Sequence, residues 1–182
     1  MCDSMCYSDY IEKVDYYKEH DNRELNFQNR IIIPFLENLF REEKNISIVD
    51  VSMQYKNRNS KVHTREPYAS NYTPDLLIAK SWNYQNRGKD IGYLAVVEIK
   101  IPDSMDTSQV SEYLTPDNRK VIWTNCFIWK FFIDEKEVVP EINLKDERNN
   151  WKQDVSVWNS LNNRIKHFVT TDKFCEISET KS

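Results

Sequence analysis

The sequence predicts an α/β domain, with elements in the order α-β-β-β-α-β and one more helix near the C-terminal end. Three observations carry that expectation. Tyr93-Leu94-Ala95-Val96-Val97-Glu98-Ile99-Lys100-Ile101 is apolar on both faces until Glu98 and Lys100, which is how a strand covered on both sides reads. Residues 23–43 and 147–169 repeat apolar side chains every three or four positions, the period of an amphipathic helix. Val121-Ile122-Trp123-Thr124 and Phe127-Ile128-Trp129-Lys130-Phe131-Phe132-Ile133 are two aromatic-rich runs joined by a tight turn at Asn125-Cys126.

In order along the chain, Tyr7, Tyr10, Ile11, Val14 and Tyr17 lie at helical spacing, so a short helix follows a loose start. His20-Asp21-Asn22 supplies cap residues for a longer helix over about 23–43, striped by Leu25, Ile32, Leu36 and Leu39 with Phe35 and Phe40 beside them. Pro34 lacks an N–H and predicts a kink or split in that helix. Ile46 to Met53 alternates as a first strand, Thr73 to Ala79 forms a second, and Tyr93 to Ile101 is the third and central one, ended by Pro102. Asp106-Thr107-Ser108 caps a helix to about Leu114, setting Gln109 and Tyr113 one turn apart on a single face. After the hairpin, Val138 to Leu144 reads as one more edge strand. The last helix, about 147–169, carries Trp151, Val155, Trp158, Leu161, Ile165 and Phe168 as a core-facing stripe, and 170–182 reads as a loose tail.

A chain of 182 residues fits one domain with a single sizeable core. Charged residues at 30%, aromatics at 13% and a mean hydropathy of −0.73 fit a globular protein in water. The net charge of −4 provides no general basic field for nucleic acid. With only Gly88 and Gly92, a glycine-rich phosphate loop is excluded. Cys2, Cys6, Cys126 and Cys175 form no C-x-x-C and have no histidine at zinc-finger spacing, so they read as free thiols. No run approaches the roughly 18 apolar residues of a membrane span, and the polar N-terminus does not read as a signal peptide. A cytoplasmic location without a membrane partner is the expectation.

Glu98 and Lys100 stand two residues apart, and therefore on one face, at the end of an apolar strand. An isolated buried charge is costly, so the pair needs a metal, a phosphate or a counter-charge. Asp75 opens the apolar run Leu76-Leu77-Ile78-Ala79. Two carboxylates and one lysine at adjacent strand ends would make a compact site for a divalent cation and an activated water. The plainer alternative is an ion pair at a strand end. Glu24 falls in a first helical turn, where a carboxylate also favours the helix dipole. Lys56, Arg58, Lys61 and Arg65 make 54–65 the locally basic stretch of the first half, suited to a phosphate backbone or to plain solvation.

Pro74-Asp75 followed by Glu98-Ile99-Lys100 resembles the PD-(D/E)xK nuclease motif in order, residue type and strand context. Glu24-(x3)-Gln28-(x3)-Ile32 is similar to the family's first helix, where a glutamate often completes the site, and Gln109-Val110-Ser111-Glu112-Tyr113 to the Q-x-x-x-Y helix of some subgroups. Lys120 to Phe132 resembles the "TNG…W" hairpin in the nuclease domain of type I restriction enzymes, with Cys126 where the family usually has glycine. The resemblance runs from about residue 20 to 134 and implies a restriction-endonuclease-like fold, a mixed four- to five-stranded sheet flanked by helices.

The resemblance further implies Mg²⁺, replaceable by Mn²⁺, held by Asp75, Glu98 and the Ile99 carbonyl. Lys100 would hold or deprotonate the attacking water with a lowered pKa. Glu24 would position a metal-bound water or a second ion, and Gln109 would orient the water or a phosphate oxygen. Tyr113 would face the nucleic acid, alongside Lys56, Arg58, Lys61 and Arg65. The implied activity is a DNA endonuclease of a restriction, defence or mobile-element setting, with RNA as the less favoured substrate and with a homodimer or partner subunit as the working form. Two other readings compete: the same fold used only to bind nucleic acid or protein, and a structural domain whose Glu98 and Lys100 are an ion pair.

Overall fold

The computed structural model describes residues 5–52, 74–82, 92–114, 118–134, 136–138 and 140–171. Helix α1 (Tyr7–His20) is followed by α2 (Glu24–Phe27), a π-helical turn (Gln28–Ile32) and α3 (Ile33–Leu39). The irregularity expected at Pro34 therefore lies one turn earlier. In a regular helix the proline ring would collide with the Arg30 carbonyl and leave it without a donor. Widening the turn, with the Ile33 N–H reaching back five residues to the Gln28 carbonyl, relieves the conflict without breaking the rod.

The strands are β1 (Ile46–Asp50), β2 (Leu76–Lys80), β3 (Gly92–Ile99), β4 (Lys120–Thr124), β5 (Ile128–Ile133), β6 (Lys136–Glu137) and β7 (Ile142–Asn143). They form one mixed, open sheet in the order β1-β2-β3-β4-β5-β6, with β7 also on β5. Among the described strands only β3 and β4 pair in parallel; the other pairings are antiparallel. Seven strands among the described residues exceed the four to five expected. The edge strand expected over Val138 to Leu144 is present only as the short β7, and β6 lies before it, unread in the sequence; the two pair with opposite ends of β5, β6 at Phe132 and Ile133 and β7 at Ile128 and Trp129. Pro140 lies between them and has no N–H to give to a ladder.

Alternation along the strands sends side chains to opposite faces, and each face has its own apolar cluster rather than one shared core. The larger combines Leu76, Ile78, Ala95, Val97, Ile122, Trp129 and Phe131 of the sheet with the helices. There Phe35 meets the rings of Tyr10, Trp129 and Trp158 at centroid distances of 5.7, 5.7 and 4.9 Å. The smaller holds Leu77, Ala79, Val96, Val121, Trp123 and Phe132, capped by Val110 and Tyr113. All four described helices bury their side chains in the larger cluster.

Helix α4 (Val155–Thr170) starts eight residues later than the apolar stripe indicates. Residues 146–150 instead form a turn in which Asp146 Oδ1 accepts from the N–H groups of Arg148 and Asn150, and Asn149 takes a left-handed φ of 62°. Trp151 pairs with Lys145 in a β-bridge, and Asp154 caps the helix through the Ser156 N–H at 2.8 Å. The helix expected over 106–114 is likewise reduced, to a 3-10 turn, Val110–Tyr113. The Asp106 carbonyl, which such a helix would use internally, accepts from Trp123 Nε1, and the Ser104 carbonyl just before it accepts from Asn125 Nδ2, both at 2.8 Å. Cys126 occupies the turn where the resemblance calls for glycine and takes φ 70°, held by the Thr124 hydroxyl on its N–H. Among the described residues no helix is long and apolar enough to cross a membrane.

Candidate active site

Where β2 begins and β3 ends, the two strands lie side by side, so Asp75 and Glu98 become neighbours although 22 residues separate them in sequence. Asp75 stands one residue before β2; its carbonyl still accepts from the Val51 N–H at 3.1 Å, which holds this end of the strand to β1. Its Oδ2 accepts from the Ile99 N–H at 2.7 Å. In an extended strand the N–H and C=O of one residue point to the same edge, so the Ile99 carbonyl is directed to the Asp75 side. Glu98 is buried, 4% exposed, near the end of β3 on the face of the smaller cluster. Lys100 follows the strand, anchored by its N–H to the Thr124 carbonyl at 2.8 Å. Its Nζ lies 2.5 Å from Glu98 Oε1 and 3.0 Å from Gln109 Oε1.

The electrostatics are those of carboxylates crowded around one cation. Burial, then the charges of Glu98 and Glu24, push the Asp75 carboxyl up to about 8 against the pull of the Ile99 N–H and Lys100. Burial also raises Glu98, opposed by Lys100 and by a hydrogen bond from the Tyr113 hydroxyl. Glu24, half-buried at the start of α2, is raised by burial and by Glu98 and lowered by Lys100, which sets it within electrostatic reach of both. Burial alone would lower Lys100, but Glu98, Glu24 and Asp75 together raise it. With no cation between them, the three carboxylates outweigh burial and favour the Lys100 ammonium.

Glu24, Asp75, Glu98, Ile99, Lys100, Gln109 and Tyr113 thus share one neighbourhood. Tyr113, expected to face the nucleic acid, is 1% exposed and packs in the smaller cluster. Lys56, Arg58, Lys61 and Arg65 lie outside the described residues. Two further groups were not read from the sequence as site residues. Asp106, read only as a helix cap, is exposed and adds its negative charge to the surroundings of both Glu98 and Lys100. Gln28, one turn after Glu24, is buried and donates to Ser52 Oγ at 3.3 Å, and that hydroxyl donates to Asp50 Oδ1 at 2.7 Å. A polar residue on an apolar helical stripe was its signal.

No three His, Cys, Asp or Glu side chains among the described residues converge as a preformed cation cage. The chemistry of Mg²⁺ does not need one, because this ion keeps several waters and takes only one or two carboxylates. Burial raises the proton affinity of both Asp75 and Glu98, and the Glu98 charge raises that of Asp75 further, the mark of anionic oxygens short of positive charge; with the Ile99 carbonyl they fit such an ion. No protein-family model, curated protein or solved structure matches this chain.

Proposed function

We propose that the chain is a Mg²⁺-dependent nuclease of PD-(D/E)xK type, hydrolysing phosphodiester bonds of DNA. The observation that supports this most is the meeting of Asp75, Glu98 and Lys100 at one strand end, a set that binding alone does not require. A divalent cation at the two carboxylates supplies Lewis acidity toward the phosphodiester and toward water. The Ile99 N–H fixes the Asp75 carboxylate so that its orientation does not depend on the ligand. Lys100, an ammonium at the end of β3, donates to a phosphate oxygen and offsets the charge that develops there. Gln109 holds that ammonium at 3.0 Å, and Glu24 adds a carboxylate from the helical side.

The test uses purified protein with supercoiled plasmid, linear single-stranded DNA and RNA, in Mg²⁺ or Mn²⁺, beside Asp75→Ala and Lys100→Ala. Cleavage by the wild type, abolished by EDTA and lowered about a hundredfold or more in both variants, establishes the activity and its site. Equal cleavage by wild type and variants refutes the site. Absence of cleavage together with tight metal-independent binding to nucleic acid identifies a binding module instead.

A further inference from the structure

We propose, within the nuclease reading on which this inference rests, that Gln28 is a positioning residue that fastens the helical turn of Glu24 to the strand end of Asp75. Glu24, Gln28, Ile32 and Leu36 stand four residues apart, a step that overshoots each turn of a regular helix by about 40°. The π-helical turn that Gln28 opens is wider and offsets that drift, with the Gln28 N–H on the Glu24 carbonyl and the Ile33 N–H on the Gln28 carbonyl. Gln28, at 2% exposure, thereby stays on the buried side with Ile32 and Leu36.

A buried amide is costly without a hydrogen bond, and a methionine would fill the same space without that cost. Gln28 Nε2 donates to Ser52 Oγ at 3.3 Å. Ser52 is itself fixed, its hydroxyl and its N–H both donating to Asp50 Oδ1, at 2.7 and 3.0 Å. Between those two residues the Val51 N–H donates to the Asp75 carbonyl at 3.1 Å, and the Asp75 carboxylate is held by the Ile99 N–H at 2.7 Å. Hydrogen bonds and adjacent residues thus run unbroken from the Glu24 turn to Asp75. Without the amide, apolar packing alone would set the distance between the two carboxylates, and such packing is not directional. Groups that orient ligands from behind influence cation affinity without touching the ion.

Gln28→Met keeps the length of the side chain and removes the amide, while Ser52→Ala removes the acceptor. Mn²⁺ binding is read as free Mn²⁺ by electron paramagnetic resonance, in the wild type and in Glu24→Gln. Each variant should bind Mn²⁺ about tenfold more weakly than the wild type, and the two combined no more weakly than either alone. In the Glu24→Gln chain, Gln28→Met should change the affinity by less than about twofold, because the spacing it sets no longer matters. Saturating Mn²⁺ should restore cleavage by Gln28→Met. Wild-type Mn²⁺ binding that Gln28→Met matches overturns the inference and leaves the nuclease reading standing. A loss repeated in full in the Glu24→Gln chain reduces Gln28 to packing and overturns it too. If Gln28→Met does not fold, Ser52→Ala decides by the same two comparisons. A wild type that neither binds Mn²⁺ nor cleaves overturns both.

Discussion

Asp75 carries a conflict that the fold imposes and a ligand can relieve. Its carboxyl titrates at about 8 in the folded chain against a usual 3.8, through burial first and the charges of Glu98 and Glu24 after it. A folded value above the unfolded one means that the unfolded chain releases this proton first. The group's stabilising contribution is therefore complete below about pH 4 and is lost as pH rises toward 8. Asp75→Asn removes that slope and should exceed the wild type by about 1–3 kcal/mol at pH 8, with near equality at pH 4, in urea unfolding. Millimolar Mg²⁺ at pH 8 should raise the wild-type melting temperature and leave that of Asp75→Asn unchanged, because only the folded carboxylate pair binds it. A wild type indifferent to Mg²⁺ in that melt would remove the cation from the site. Asp75, Glu98 and Lys100 were legible as a group because charged residues at the ends of apolar runs stand out without any structure. The direction of the Lys100 shift was not, since it depends on how many carboxylates surround it.

Elements, too, depend on which groups compete for their backbone. The hairpin joining β4 and β5 rests on Asn125, whose Oδ1 accepts from the Phe127 and Ile128 N–H groups at 3.1 and 2.8 Å and whose Nδ2 reaches the Ser104 carbonyl at 2.8 Å. Asn125→Ala should cost about 3 kcal/mol, one for each hydrogen bond lost, and should free the segment leading to Gln109 as well. Exchange protection at Phe127 and Ile128 would fall with it. Asp154→Ala removes the cap from α4 and should cost about 1 kcal/mol by chemical denaturation, without altering cation binding. The hairpin could be read from its aromatic runs and the asparagine, whereas the helix over 106–114 could not be refused from the sequence. The Asp106 carbonyl goes to Trp123 and that of Ser104, just before it, to Asn125, and a pattern of spacing contains no information about partners drawn from another strand. The stripe through Trp151 misled for a related reason. Asp146, Asn149 and Asp154 are turn and cap residues, and their local hydrogen bonds outweigh a helical period that merely passes over them.

At the scale of the whole molecule, helices α1 to α4 lie on one side of the sheet, while Glu98 follows Val96 on the other, the face that carries Val110 and Tyr113. Phe35, wedged between Tyr10, Trp129 and Trp158, links α1, α3, α4 and the sheet. Phe35→Ala should cost about 3–5 kcal/mol in urea unfolding, as the cavity cannot collapse among rigid rings. A loss of under about 1 kcal/mol would mean that those contacts do not bind the helices to the sheet. The sequence by itself determined the α/β character, the central strand, the hairpin, and which charges end apolar runs, because each of these is written in local periodicity and local cost of burial. Tertiary structure alone decided that two clusters replace one core, that β6 and β7 pair with opposite ends of β5, that three carboxylates together raise Lys100, and that Tyr113 is buried in the smaller cluster. Those outcomes depend on charges and hydrogen-bonding groups brought together from distant parts of the chain, and their sum exists only once the strands are side by side.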